Sequence, residues 1–264
     1  MAKYWVKYFG LIRVFLENFV RKIFQFLYIC WALIVFTVFM ILFLPFFLIP
    51  PLFGQQAVRI TYFFLRLWSW LFSKLNFIPY HIQGKENIEP GMSYIFVSNH
   101  TSFLDIPGLC LTIPGQFRPL AKKELLRLPI FGWIAATAAV IVDRSSHESR
   151  KVSLEKLTQI LRDGISILIF AEGTQNRTSS LLQPLKDGAF RIALDTGRPL
   201  LPVVIAGAGQ LMPPGKFFIK PGKISIQIGS PIDVTGIDSK GLAELKSRTA
   251  AAMTGMLEKL YQRN

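Results

Sequence analysis

Cysteine and histidine are scarce in this 264-residue chain, which has two cysteines and three histidines. Cys30 and Cys110 lie in apolar surroundings at no pair spacing, which favours a reducing compartment over a disulfide framework. His81 and His147 have no cysteine or histidine at metal-ligand spacing, so we expect no metal site. The sequence also lacks a complete G-x-G-x-x-G fingerprint, a G-x-x-x-x-G-K-[S/T] loop and a G-x-S-x-G elbow, which argues against a bound nucleotide and a serine nucleophile.

Acidic residues are also few, 16 against 30 lysines and arginines, and the formal net charge is +14. This surplus suggests an anionic partner, such as lipid headgroups, a phosphate-bearing substrate or an acidic carrier protein. The basic residues are dispersed and carry no nucleic-acid recognition motif, so we expect no nucleic-acid partner. Residues 215–222 form a basic, aromatic loop that is either a plain turn or a contact for a membrane or a carrier protein.

Charged side chains are missing altogether from residues 23–58, a run of 36 residues. As a helix, residues 23–44 would reach roughly 33 Å, enough to cross the hydrocarbon core of a bilayer. Three prolines between residues 45 and 51 then interrupt any helix, and a second apolar segment, 60–77, mixes aromatic side chains with two basic ones. We therefore predict an N-terminal pair of membrane-embedded helices, and not a cleaved signal peptide.

The charges that flank this pair bear on its topology. Residues 1–22 carry five basic and one acidic side chain (net +4), and residues 78–264 carry 22 basic and 15 acidic ones (net +7). A single crossing would separate these basic regions, against the charge bias of membrane proteins. We favour a proline-broken hairpin in one leaflet, with the catalytic domain on the cytoplasmic face, over a single spanning anchor. The predicted division is an anchor at 1–80 and a domain at 81–264.

The remainder of the chain alternates between two kinds of pattern. Apolar, β-branched runs lie at 93–98, 139–142, 165–170, 201–206 and 224–228, and helical patterns lie at 147–162, 186–196 and 239–261. This order predicts an α/β domain with a central, mainly parallel or mixed sheet flanked by helices. A site is then expected at the carboxyl ends of the strands.

A histidine and an aspartate follow the first of these strands. A neutral imidazole at His100 can take a proton from an alcohol, and the Asp105 carboxylate can fix its tautomer. The two meet only if His100 lies in the turn and Asp105 in the first turn of a helix, with Thr101 or Ser102 as the N-cap. The alternative is a satisfied core histidine followed by a capping aspartate.

A second polar motif follows the strand predicted at 165–170. Glu172, Gly173 and Thr174 offer a carboxylate, a glycine that permits close backbone approach and a hydroxyl. Taken alone, this motif is typical of an ordinary turn. Two polar motifs at strand ends of one α/β domain, however, favour a functional site.

With these motifs the chain resembles the glycerolipid acyltransferases, and within them the 1-acyl-glycerol-3-phosphate (lysophosphatidic acid) acyltransferases. Four motifs match in order and together span most of the predicted domain. They are Asn99-His100-x4-Asp105; Ala121-Lys122-Lys123-Glu124-Leu125 with Pro129-x-x-Gly132 and Val142-Asp143-Arg144; Glu172-Gly173-Thr174; and Leu201-Pro202-Val203-Val204.

The resemblance implies that His100, oriented by Asp105, acts as general base on the free hydroxyl of a lysolipid. That hydroxyl attacks the thioester of acyl-CoA or acyl carrier protein, with no tightly bound cofactor and no acyl-enzyme. Membrane lipid, the lysolipid acceptor and the acyl donor are then the partners. The implied substrate-binding residues are Glu172, Gly173 and Thr174 around glycerol phosphate, Lys122 or Lys123 with Arg144 and Arg177 for the phosphate charge, and Pro202 at the pocket floor.

One position departs from the family pattern. Gln175 stands where the family usually has arginine, which removes one bidentate phosphate contact. Arg177 matches a second basic position and can compensate for the loss. If it does not, the acceptor is another lysolipid, such as a lyso-amino-acid lipid. Thioester hydrolysis and a non-catalytic membrane adaptor are the other functions that the sequence leaves open.

Overall fold

The computed structural model describes residues 2–143 and 145–263, with side chains from residue 16 onward except that of Ser239. The strands are β1 (Tyr80–Gln83), β2 (Ile95–Ser98), β3 (Phe117–Lys122), β4 (Val140–Val142), β5 (Ser166–Phe170), β6 (Leu200–Ala206) and β7 (Ile224–Ile228). The α-helices are α1 (Ala2–Leu42), α2 (Leu44–Leu48), α3 (Val58–Leu75), α4 (Asp105–Thr112), α5 (Phe131–Ala138), α6 (His147–Arg162), α7 (Gly188–Thr196), α8 (Ala208–Leu211) and α9 (Leu242–Arg263).

The strands form one mixed sheet in the order β1-β7-β6-β2-β5-β3-β4. Strands β6 and β7 pair antiparallel, and the other described pairs are parallel, with Val97 of β2 opposite Ile169 of β5 and Pro202 of β6. The predicted mixed sheet is therefore confirmed. Strands β1 and β3 were not predicted, because β1 is a short edge strand and β3 contains arginine, proline and lysine in place of a β-branched run.

Helices cover both faces of the sheet, and alternate strand residues enter two cores. In β2, Phe96 joins a core formed with α1, α3, α4 and α5, whereas Ile95 and Val97 join a core formed with α6, α7 and α9. All four residues of β2 and all seven of β6 are buried, as expected for strands covered on both faces. Because the helices cover the faces of the sheet, the carboxyl ends of the central strands are where a site can form.

Helix α6 shows how local sequence sets these elements. Its N-cap is Ser146, whose Oγ accepts a hydrogen bond from the Ser149 N–H at 3.1 Å. One turn apart, Leu157 and Leu161 are buried on the same side of the helix. The helix has the bounds that the sequence pattern predicts.

The predicted N-terminal helical pair is present as an antiparallel hairpin. The Trp31 indole N–H donates to the Leu75 carbonyl at 2.9 Å, and the Tyr28 hydroxyl donates to the Asn76 carbonyl. Further along, the rings of Phe36 and Trp68 lie edge to face with centroids 5.5 Å apart. Helix α2 and a 3-10 turn rich in proline join the two helices.

The two helices of this hairpin differ in their surroundings. By length and composition, the Leu16–Leu42 part of α1 is the one described helix that could cross a membrane, and most of its side chains are exposed. Helix α3 packs against α4 along one face, and its opposite face exposes Ile60, Phe63 and Trp70. An exposed apolar face of this size suggests membrane association.

Candidate active site

Two neighbouring parallel strands, β2 and β5, bring the two polar motifs to one edge of the sheet. Asn99 directly follows β2, and its side-chain amide pairs with β6 as a backbone peptide group would. Its Nδ2 donates to the Ile205 carbonyl at 2.9 Å, and its Oδ1 accepts from the Ile205 N–H at 2.8 Å. These two hydrogen bonds to β6 fix the position of Asn99, and therefore the point at which the following turn begins.

The His100 imidazole and the Asp105 carboxylate are hydrogen-bonded, with Nδ1 and Oδ2 2.8 Å apart. Asp105 is fully buried, and Oδ2 also accepts from the N–H groups of Thr101 at 2.7 Å and Ser102 at 2.9 Å. Because the carboxylate oxygen accepts the hydrogen bond, Nδ1 carries the proton and Nε2 is the basic nitrogen.

The turn and the helix start differ in one detail from the expectation. His100 lies in the turn and Asp105 in the first turn of α4, as their pairing requires. Neither Thr101 nor Ser102 is the N-cap, however, because Leu104 occupies that position without a side-chain cap. The Asp105 carboxylate instead accepts hydrogen bonds from the backbone of the turn that precedes it, so the same group holds both the turn and the imidazole.

The main chain of His100 is held from the other side by the segment after β5. The Glu172 carboxylate accepts the His100 N–H at Oε1 and the Gln183 N–H at Oε2, both at 2.8 Å. The Asn176 N–H donates to the His100 carbonyl at 2.6 Å. Burial raises the pKa of the Glu172 carboxyl, and the two N–H donors oppose that shift. Glu172 is 1% exposed and does not line the cavity, where the resemblance had placed it.

His100 lies on the wall of a cavity of about 270 Å³. The imidazole stacks on the Phe170 ring, with centroids 4.0 Å apart and planes 19° apart. The polar side chains that also line this cavity include those of Lys122, Thr174, Gln175 and Arg177. One part of the cavity can therefore bind an anionic, hydrogen-bonding group within reach of the base.

The rest of the cavity is apolar and runs between the sheet and helices α3, α4 and α5. Its lining includes Leu65, Cys110, Phe117 and Ile134. Burial raises the pKa of the Cys110 thiol to about 11, so that this group is uncharged at neutral pH. Such a lining fits a hydrocarbon chain better than a polar molecule.

Three other predicted binding residues, Lys123, Gly173 and Pro202, do not line this cavity. Lys123 is 63% exposed and pairs with Asp143 at 3.1 Å. Pro202 is buried in the middle of β6. Gly173 has φ of 76°, which glycine tolerates, and it forms the turn after β5. Arg144 lies outside the described residues.

Three contributors to the site were missed from the sequence. Phe170 was seen as a strand residue, although its position before the second motif is the signal that it borders the site. Asn176 could have been recognised from the sequence, because asparagine favours an Asx turn. In the structure its Oδ1 accepts a hydrogen bond from the Thr178 N–H at 2.9 Å. Gln183 carries no signal, because only the fold brings its N–H to Glu172.

The chain belongs to the acyltransferase family. A family model described as Acyltransferase matches residues 79–206. An uncharacterized acyltransferase of Schizosaccharomyces pombe is 32% identical over 211 residues, which cover 78% of this chain and 73% of that protein. The family membership predicted from the four motifs is therefore confirmed.

Two other relatives have names that specify a reaction. A chloroplastic 1-acyl-sn-glycerol-3-phosphate acyltransferase of Brassica napus is 32% identical over 69% of this chain, and the match spans only 53% of that protein. The crystal structure of the 1-acyl-sn-glycerophosphate acyltransferase PlsC of Thermotoga maritima superposes with a TM-score of 0.78 and 26% identity. The superposition covers 91% of this chain and 98% of PlsC, which confirms the predicted fold. These matches agree with the predicted lysophosphatidate acyltransferase-like enzyme class.

Proposed function

We propose that this protein transfers a fatty acyl chain from a thioester donor to the free hydroxyl of lysophosphatidate, giving phosphatidic acid for phospholipid synthesis. The observation that carries the proposal is the His100–Asp105 pair on the wall of a cavity with a cationic part and a long apolar part. The names of the relatives support the same acceptor. Acyl-CoA and acyl carrier protein are both thioesters, and the basic surface of the chain suits either anionic donor.

The geometry supports a single displacement. Nε2 of His100 accepts the proton of the lysolipid hydroxyl as its oxygen attacks the thioester carbonyl carbon. An ester bond forms, the carbon–sulfur bond breaks, and the leaving thiolate takes the proton from the imidazolium. Asp105 stabilises that imidazolium and keeps Nδ1 protonated throughout. Phe170, stacked on the ring, restricts rotation of the imidazole.

The acceptor phosphate is assigned to the cationic part of the cavity. Lys122 and Arg177 supply charge there, and Thr174 and Gln175 supply hydrogen bonds. Glu172 is assigned a positioning role, because both of its carboxylate oxygens already accept backbone N–H groups. Lys123 is a weaker candidate for the phosphate, since its ammonium group pairs with Asp143.

The contacts of the hairpin support a proposal for the membrane arrangement. Helix α3 packs on the domain, and α1 runs antiparallel beside α3, so the second half of α1 stays next to the domain. This favours the one-leaflet hairpin, with the domain and the water-soluble donor on the cytoplasmic face. We place the anchor at residues 1–80 and the acyltransferase domain at 81–264, with α3 connecting the two.

An acyl-transfer assay with the full chain in lipid vesicles tests the proposal. Wild-type protein is expected to convert lysophosphatidate and an acyl thioester to phosphatidic acid. The His100→Ala variant should lose about 10²–10⁴ in rate, as expected for loss of a general base. A matched control is His147→Ala, since His147 is exposed on α6. Free fatty acid as the main product would instead indicate hydrolysis, and equal rates with an uncharged lysolipid would remove phosphate recognition.

A further inference from the structure

A second apolar cavity, of about 360 Å³, lies beside the first and is not used by the chemistry above. One wall is α1, through Ala32, Leu33 and Phe36. The opposite wall is formed by α4 and the segment before α5, including Leu128. Every side chain that lines it is apolar or aromatic. We call this cavity the α1 groove.

The α1 groove and the active-site cavity have a common wall. Trp68, Phe103, Ile106 and Phe131 line both cavities. Phe103 lies three residues after His100, in the same turn. A molecule that reacts at His100 therefore has two apolar spaces within reach, one on each side of this wall.

The end of the α1 groove is tied to both the site and the anchor. The segment 212–219 lines that end with Met212, Phe217, Phe218 and Ile219. The Ser102 hydroxyl donates to the Met212 carbonyl at 2.8 Å, and the Gln25 amide donates to the Ile219 carbonyl. The groove is thus a built feature that joins the turn after His100 to α1.

We propose that the α1 groove binds the acyl chain that the lysolipid acceptor already carries, while the active-site cavity binds the chain being transferred. This inference rests on the proposed function. The product carries two hydrocarbon chains on one glycerol, so the reaction needs two apolar spaces that diverge from the base. The structure provides two such spaces and a common wall at the histidine turn.

Each acyl chain is assigned to a cavity according to the side from which its lipid or thioester reaches the enzyme. A wall of the α1 groove is the one described helix that could cross a membrane. The chain of a membrane lipid can enter beside that helix without passing through water. The donor arrives from water, and its chain is assigned to the active-site cavity, which meets α1 at Met40 alone among the lining residues and is otherwise lined mainly by α3, α4, α5 and the sheet. An acceptor with a short chain should therefore need the α1 groove less than a long-chain acceptor.

The test uses substitutions that narrow the α1 groove, one in α1 and one in the segment before α5. Leu33→Trp and Leu128→Trp each add bulk at a lining position that is partly exposed, so both variants should fold. With purified full-length protein in detergent, each variant should lose about tenfold in kcat/KM for long-chain lysophosphatidate and less than about twofold for a short-chain analogue. Preference among donor chain lengths should not change. The matched controls are Ile34→Trp and Leu126→Trp, exposed neighbours that line neither cavity.

The outcomes separate this inference from the proposed function. If wild-type protein forms no diacyl lipid with either acceptor, the proposed function fails and this inference fails with it. If wild-type protein is active but both groove variants keep its ratio of long-chain to short-chain rates, the α1 groove does not hold the acceptor chain. A change in donor preference with no change in acceptor preference would show that the two chains are assigned the wrong way round.

Discussion

The Glu172 carboxylate accepts the backbone N–H of His100 at 2.8 Å, and it does so from another strand end of the sheet. A buried carboxylate used in this way can position His100 through the main chain, and we expect it to make no contact with substrate. We predict that Glu172→Gln lowers kcat by roughly 10–10², because the new amide must face one of two backbone N–H groups with its own donor. The KM values for donor and acceptor should change little.

Steady-state kinetics with both substrates checks this prediction. A matched comparison is Gln183→Ala, which keeps the backbone N–H that Glu172 binds and removes only the side-chain hydrogen bond to Asn176 Oδ1 at 3.0 Å, so it should lower kcat less than Glu172→Gln. A Glu172→Gln variant with unchanged kcat and a higher KM for the acceptor would show that Glu172 contacts substrate instead.

The second prediction concerns Asp105. The Asp105→Asn substitution leaves one carbonyl oxygen where the carboxylate Oδ2 accepts from His100, Thr101 and Ser102. The amide also removes the charge that stabilises the imidazolium, so kcat should fall by about 10²–10⁴. Circular dichroism should show a folded protein. Full activity of this variant would contradict the role of the pair.

The third prediction concerns the charges of the acceptor site. Arg177→Ala should raise the KM for lysophosphatidate by about tenfold, because a charge-assisted contact with the phosphate is lost. Gln175→Arg should lower it, since the new guanidinium joins the same wall of the cavity. Lys123→Ala is the control, because that lysine pairs with Asp143 outside the cavity. Changes in KM of equal size at all three positions would show that the overall surface charge, and not a specific phosphate contact, sets the KM.

The fourth prediction is a pH dependence. Burial raises the pKa of the Cys110 thiol to about 11, so at pH 8 only about one molecule in a thousand should carry the thiolate. Alkylation at Cys110, followed by mass spectrometry, should be slow at neutral pH and rise about tenfold per pH unit. Because the folded pKa lies above the unfolded one, the associated stability is complete below the unfolded pKa and is lost as the pH rises toward 11.

A Cys110→Ala variant identifies the labelled site in that experiment. Rapid labelling of Cys110 at neutral pH would show that the thiol is not shielded as the structure indicates. Prior incubation with an acyl thioester should slow labelling further, because Cys110 lines the cavity assigned to the donor chain.

Sequence patterns predicted the parts of this protein that depend on local chemistry. The five apolar runs became strands β2, β4, β5, β6 and β7, of which β4 lies at the edge of the sheet. The spacing of His100 and Asp105 was compatible with only one arrangement of turn and helix. The pattern did not separate Lys122 from Lys123. The two side chains differ because Lys122 is the last residue of β3, paired with Val142 of β4, whereas Lys123 lies beyond the strand. The sequence does not mark this boundary, since β3 has no β-branched run.

The role of Glu172 could not be predicted for a different reason. A carboxylate at a strand end is equally suited to a substrate and to backbone N–H groups. Which of these it binds depends on whether neighbouring loops bring free N–H groups to it, and here the loops that follow β2 and β5 do so. Long-range contacts of this kind leave no trace in residue spacing.

The Asn99 side chain extends the hydrogen bonding between β2 and β6 by pairing with the main chain of Ile205, without using the main chain of Asn99 itself. The polypeptide is consequently free to change direction at the next residue, and both peptide groups that flank the imidazole are recruited by the loop beyond β5. If the proposed function holds, proton abstraction by His100 and recognition of the headgroup are mechanically coupled. A lipid that displaced residues 171–177 by a fraction of an ångström would then move His100 as well, so we expect a poorly fitting acceptor to lose turnover as well as affinity.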